Sequence, residues 1–130
     1  LYTPEQEIPR MSHIVEIKTE VRDPVAIAAA CDRLRLSAPA AGAHRLYSGA
    51  VQGLAVQLEG WKYPVVCDTA TGQVRYDNYA GHWGEQARLD QFLQAYAVEK
   101  ARLESHRRGH TVTEQSLSDG SIKLTIQLGA

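Results

Sequence analysis

The sequence predicts an α+β fold: a mostly antiparallel sheet with two helices on one face. Three observations carry this. Several short runs alternate apolar and polar residues, the period of half-buried strands. Two segments instead repeat their apolar residues at helical spacing. The order along the chain is strand, helix, several strands, helix, two strands, which suits antiparallel pairing with helices gathered on one side. An elaborated ferredoxin-like core with a central meander is the topology expected first, with a different α+β arrangement as the alternative.

The first run, His13–Val21, sets Val15, Ile17, Thr19 and Val21 on one face and Glu16, Lys18 and Glu20 on the other. Asp23 then stands where it can cap a helix, and Pro24 suits the first turn. Ile27, Ala30, Cys31 and Leu34 recur at helical spacing, so a helix is expected from Pro24 to about Leu36. "SAPAAG" (Ser37–Gly42) reads as a loop, "HRLYSG" as a weak strand and "VQGLAVQLE" as a better one. Gly53 within the last marks a bulge or a close backbone approach. "YPVVCD" and "QVRYD" flank "TATG", a hairpin with Gly72 at the turn position that needs positive φ. Pro64 moves its strand toward an edge or a first-residue position.

After "AGHWG" the period changes. Leu89, Phe92, Leu93, Tyr96 and Leu103 mark a long helix from Glu85 to Arg108, ended by Gly109 at the C′ position. "HTVTEQSL" and "SIKLTIQL" flank "SDG", a strong hairpin signal. Ile122, Leu124, Ile126 and Leu128 form its apolar face. If Ser121–Leu128 lies at a sheet edge, it can pair with a copy of itself, giving a homo-oligomer.

The chain of 130 residues fits one domain. The first ten residues, "LYTPEQEIPR", differ in character and read as an upstream extension or an expression remnant. Met11 is the expected natural start and residues 11–130 the single α+β domain. The net charge of −1 argues against nucleic acid as a partner, since such binding needs a surplus of cations. The one basic cluster, Arg102, His106, Arg107, Arg108 and His110, fits a helix C-terminus facing the negative end of its dipole. His106 and His110 straddle Gly109, so one helix face cannot present both. Cys31 and Cys67 have apolar neighbours and read as buried free thiols. With no bilayer-length apolar run and no signal peptide, a cytoplasmic protein with no membrane partner is expected.

The chemistry-bearing residues gather in Gly60–Glu85, which holds Trp61 and Trp83 together with Tyr63, Tyr76 and Tyr79. Asp68 ends one strand of the hairpin and Asp77 ends the other. If these are neighbours, two carboxylates with Asn78 can hold a divalent cation or divide acid and base roles, with His82 as a further ligand or proton shuttle. Tyr79 and Trp83 can stack on a flat ligand. The plainer reading is a strand hairpin leading through an aromatic, turn-forming loop into the long helix. The chain carries none of the compact metal or nucleophile motifs, and no complete catalytic constellation. The first functional expectation is therefore a non-enzymatic binding module. Its candidate residues are Asp68, Tyr76, Asp77, Asn78, Tyr79, His82 and Trp83. A small-molecule or divalent-metal site around Asp68, Asp77, Asn78 and His82 is the alternative.

"MSHIVEIKTEVRDPVAIAAACDRLRL", "GWKYPVVCDTATGQVRYDNYAGHWGE", "FLQAYAVEKA" and "DGSIKLTI" together resemble the hypothetical chloroplast reading frame 35 proteins. That family of unknown function spans algal plastids, cyanobacteria, other bacteria and phages. The resemblance runs from Met11 to Leu128. Tyr76, Asp77, Asn78, Tyr79, Gly81, Trp83 and Gly84 match its most specific motif. Position 82 is His here, where the family pattern favours Arg or a similar residue, which argues against a catalytic histidine. The resemblance carries over no activity. It implies an accessory or adaptor role beside an AAA-type ATPase.

Overall fold

A computed structural model describes residues 15–18 and 20–129 of the chain. The expectations for residues 1–10 and for Met11 lie outside the described residues. The strand expected over His13–Val21 is described as β1 over Val15–Lys18.

Helix α1 runs from Pro24 to Arg33. Asp23 caps it, accepting from the backbone N–H of Val25 at 2.9 Å and of Ala26 at 3.4 Å. The helix ends in a Schellman turn: Leu36 N–H donates to the Cys31 carbonyl at 2.8 Å, and Arg35 N–H to that of Asp32 at 3.1 Å. The C′ position of that turn is left-handed, and here it is filled by Arg35 at φ +59°. Helix α2 runs from Gln86 to Arg107 and ends in the same motif, with Gly109 at the equivalent place and φ +76°.

Between the helices lie β2 (Ala40–Leu46), β3 (Gly49–Val56), β4 (Val65–Asp68) and β5 (Gln73–Tyr76). They form a meander, and β1 pairs with β5, giving a sheet of order β1-β5-β4-β3-β2 with every pairing antiparallel. The α+β class therefore stands, but the ferredoxin-like topology does not. That core places its first strand beside and parallel to a strand reached through a helical crossover. Here the described neighbour of β1 is the antiparallel β5. The last two strands, β6 (Thr111–Ser116) and β7 (Ile122–Gln127), form a hairpin of their own. Helix α2 is 22 residues long, about 33 Å, and the hairpin folds back along it, with Gln94 donating to the Gly120 carbonyl at 3.1 Å.

Both helices pack on one face of the sheet. Ile27, Ala30 and Cys31 of α1 and Leu89, Phe92 and Tyr96 of α2 meet Val56, Val65, Cys67, Val74 and Tyr76 in one core. The Tyr96 hydroxyl accepts from the N–H groups of Arg22 and Asp23, both at 3.1 Å, tying α2 to the start of α1. Cys31 and Cys67 are free thiols buried in this core. Burial pushes the Cys67 thiol up to about 12, so it is a packing group rather than a nucleophile.

The other face is covered by the chain itself. β4 pairs with β3 only over Leu54–Val56, so the rest of the β2–β3 hairpin projects as an arm. Gly42 and Gly53 face each other in register with φ of +131° and +153°. A Cβ on Gly53 would lie 2.5 Å from the Cys67 carbonyl oxygen, the close approach its position in the sequence suggests. Beyond this glycine pair the arm bends. Leu46 pairs with Gly49, six residues from Ala55, which is roughly 20 Å along a straight strand. Yet Leu46 is fully buried in one cluster with Ala55 and Val66. "SAPAAG" is thus strand from Ala40 onward, where a loop is expected from composition.

Candidate functional site

The motif Tyr76–Gly84 divides into an inner and an outer half. Tyr76 and Asp77 are buried at the end of β5, and Asn78 is 3% exposed. Asn78 closes the loop that follows. Its carbonyl accepts from Gly81 N–H at 3.0 Å and Trp83 N–H at 2.9 Å, and its side-chain amide donates to the Gly84 carbonyl at 3.2 Å. Asp77 Oδ1 accepts from Tyr79 N–H at 3.4 Å. Gly84 lies against the Trp61 indole so closely that an added Cβ would sit 2.3 Å from the ring. Trp61 donates from Nε1 to the Glu85 carbonyl at 3.0 Å and meets Tyr76 edge-on at 5.6 Å. Trp61, not Trp83, is the tryptophan that seals the core.

The outer half is strained. Tyr79 (φ +47°), Ala80 (φ +52°) and Gly81 (φ +96°) are consecutive left-handed residues. Each of the first two costs about 1–2 kcal/mol relative to a right-handed conformation. That turn sets Tyr79 and Trp83 side by side at 4.9 Å, with His82 against Tyr79 at 4.8 Å. Tyr63 meets Trp83 edge-on at 5.5 Å, and Tyr47, at the tip of the bent arm, packs on it at 5.2 Å. The Lys62 ammonium stands 4.6 Å over the Trp83 ring. Lys62 N–H also donates to the Trp83 carbonyl at 2.8 Å, fixing the loop to the segment before β4. The rings remain accessible: Tyr47 is 57% exposed and Tyr79 37%, while Tyr63 and Trp83 are half-buried.

Of the residues singled out in the sequence, Tyr79, His82 and Trp83 come together at this surface. Tyr76, Asp77 and Asn78 support it from beneath. Asp68 belongs elsewhere. It opens the β4–β5 turn, accepting from Ala70 N–H at 3.0 Å and, through its carbonyl, from Gly72 N–H at 2.7 Å. In an antiparallel hairpin the C-terminal ends of the two strands lie at opposite ends. Asp68 pairs with Gln73, four residues before Asp77, so the carboxylates are roughly 13 Å apart along the strand. The paired-carboxylate arrangement is therefore not formed. Among the described residues, no three of His, Cys, Asp and Glu gather in a way that could hold a metal ion.

Tyr47, Lys62 and Tyr63 complete the surface and are not among the residues the sequence singles out. Lys62 and Tyr63 lie within Gly60–Glu85, where the aromatic density is the signal. Tyr47 carries no such signal, because its role depends on the bend at Gly42 and Gly53. As expected, no helix face presents both His106 and His110, since the helix ends at Arg107. The turn at Gly109 brings both to one small cleft with Arg102, although only His106 is on the helix. Other described clefts measure about 250 Å³, between Leu34, Leu58 and Arg88, and about 340 Å³, beside Ala28, Asp32 and Pro39. These lie close to the lower end of typical ligand pockets, ~300 Å³.

The chain matches no protein-family model, no curated protein and no solved structure. No helix among the described residues is long and apolar enough to cross a membrane.

Proposed function

We propose that this chain is a non-enzymatic protein-binding module, an adaptor, whose contact surface is the ring cluster of Tyr47, Tyr63, Tyr79 and Trp83. One observation carries this reading. Tyr47, Tyr63 and Tyr79, from separate segments, all pack on Trp83 away from the main core, and a strained backbone turn at Tyr79–Gly81 sets Tyr79 beside it. Strain of this kind accumulates where a surface must be held in shape. Exposed, preorganised Tyr and Trp are the residues that dominate the centres of protein interfaces. The family resemblance makes an AAA-type ATPase the partner to test first, in a reducing, cytoplasm-like compartment. The open edge of β7, where Ile126 is 46% and Leu128 75% exposed, supports a second contact through pairing with another copy of the chain.

The test is recovery of the tagged chain from its native cells under mild conditions, read by native mass spectrometry. A stoichiometric protein partner is expected with the wild type. Trp83→Ala is expected to lose it while remaining folded. Equal recovery by wild type and a folded Trp83→Ala would overturn the assignment of the surface.

A further inference from the structure

We infer that the cleft between the end of α1, the segment after β3 and the first turns of α2 binds a small apolar carboxylate, its hydrocarbon part on leucines and its carboxylate on Arg35. The cleft shares no residue with the ring cluster, so this site stands or falls without the adaptor reading.

The cleft measures about 250 Å³, and Leu34, Leu36 and Leu58 line it. Leu58 belongs to the main core and the other two pack against it, so the apolar lining is an open edge of that core. The rest of the lining is polar: Arg35, Glu59, Arg88 and Gln91. Apolar walls with a few convergent polar groups are the usual make-up of a small-molecule site. Arg88 meets Glu59 at 3.0 Å, an exposed pair whose charges cancel. Arg35 is different. Its guanidinium makes no hydrogen bond or ion pair with another described residue. The lining therefore carries one uncompensated positive charge, which a monoanion complements. A carboxylate also fits the guanidinium fork, accepting two parallel hydrogen bonds. A phosphate monoester, nearly a dianion at neutral pH, would leave charge unmatched. A neutral ligand would leave the fork unpaired, and a cation would be repelled.

The backbone gives an independent reason to single out Arg35. It occupies the left-handed C′ position of the turn that ends α1, at φ +59°, between Leu34 and Leu36. The matching turn of α2 is made with Gly109, which adopts φ +76° without a side chain to strain. A glycine at position 35 would relieve the backbone and remove the guanidinium from the cleft. Strain of this kind persists at ligand-holding positions, where the side chain in place is needed. The cleft lies near the small end of ligand pockets, ~300 Å³, so its occupant is a compact acid rather than a long chain. That chemistry, a branched or aromatic group ending in a carboxylate, is found in free acids and at the C-terminus of a peptide with an apolar last residue.

The experiment is a titration of the isotopically labelled full chain with phenylacetate, isocaproate and the free-acid tripeptide Gly-Gly-Leu, followed by amide and methyl NMR. Saturable shifts are expected at Leu34, Leu36, Leu58 and Arg88, with the Trp83 indole unmoved. Isocaproamide lacks the carboxylate and acetate lacks the apolar part; each should bind more weakly than isocaproate by about tenfold or more. Arg35→Gly should weaken phenylacetate binding by about tenfold or more, the loss expected when a charge-assisted hydrogen bond is removed. That change relieves the backbone, so its loss of binding does not come from unfolding, and a melting curve verifies that the variant is folded. Tighter binding of isocaproate than of the tripeptide assigns the site to free acids, and the reverse order assigns it to a peptide C-terminus; either supports the carboxylate site. No saturable shift with any of the three acids, equal binding of isocaproamide, tighter binding of phenyl phosphate, or unchanged affinity in folded Arg35→Gly would overturn the inference.

Discussion

At the scale of single residues, the left-handed positions are the most informative. The two helices end in the same Schellman turn, once with Gly109 and once with Arg35. That pair is an internal control for the cost of a side chain at C′. Arg35→Gly should stabilise the chain by about 1 kcal/mol, measured by urea unfolding, because glycine adopts that conformation without the Cβ clash. Ala80→Gly should do the same for the aromatic loop, and a loss of stability at either site would show the strain to be absent. Gly84 is the opposite case. The indole that an added Cβ would strike is buried and hydrogen-bonded, so it cannot swing away. Gly84→Ala should cost about 1–3 kcal/mol, the usual penalty of overpacking. The sequence marks Gly81, Gly84 and Gly109 as special, but not Arg35, Tyr79 or Ala80. Nothing in the identity of an arginine, a tyrosine or an alanine announces positive φ; the conformation is imposed by the hydrogen bonds around it.

Among the elements, the terminal hairpin is the one held least by apolar packing. Arg33 clamps it, donating to Glu99 at 2.7 Å and to both oxygens of Glu114 at 3.0 and 2.6 Å, while Arg102 reaches Glu114 at 2.9 Å. The hydrogen bond from Arg33 is the main reason the Glu114 carboxyl sits below its ordinary value of 4.5; partial burial opposes it. The sign follows directly. A depressed folded-state value means the clamp is complete above that ordinary value and is lost as pH falls through the lowered one. Amide resonances of Val112 and Leu124 should therefore report loosening in mild acid while the main core stays folded. Glu114→Gln should loosen the hairpin at neutral pH, speeding its amide exchange by about tenfold, and flatten that acid dependence. Unchanged exchange would show the ion pairs to be incidental. Both hairpins with Gly turns and both helices are legible in the sequence, because Asp-Gly, "TATG", Asp23-Pro24 and Gly109 fix them locally. β2 is legible only at its end, His44–Leu46; its first half is not, since the alanines and Gly42 lack strand character and their pairing is imposed by β3. The supposed neighbourhood of Asp68 and Asp77 fails for a topological reason: matching positions in chain order are not matching positions in space.

At the scale of the whole molecule, a single meander provides two different faces. One is sealed by helices, the other by an arm of the same sheet turned back over it. Leu46 anchors that closure, fully buried although it sits one residue from the most exposed ring of the cluster. Leu46→Ala should cost about 2 kcal/mol, near the low end for a leucine because the cluster around it is small. It should also release Tyr47 from Trp83, seen as a shift of the Trp83 indole resonance, while the Tyr79 contact persists. A large loss of stability with that resonance unmoved would mean the arm and the aromatic surface are independent. Because the rings come from the arm tip, the segment before β4 and the loop before α2, the surface has no counterpart in an unfolded chain. Its occupancy and the folding equilibrium are therefore one thermodynamic quantity. Any molecule that fills the surface must raise the unfolding free energy, by about 2.7 kcal/mol at a hundred times its dissociation constant. A melting curve can thus serve as a binding assay for a ligand whose identity is still unknown.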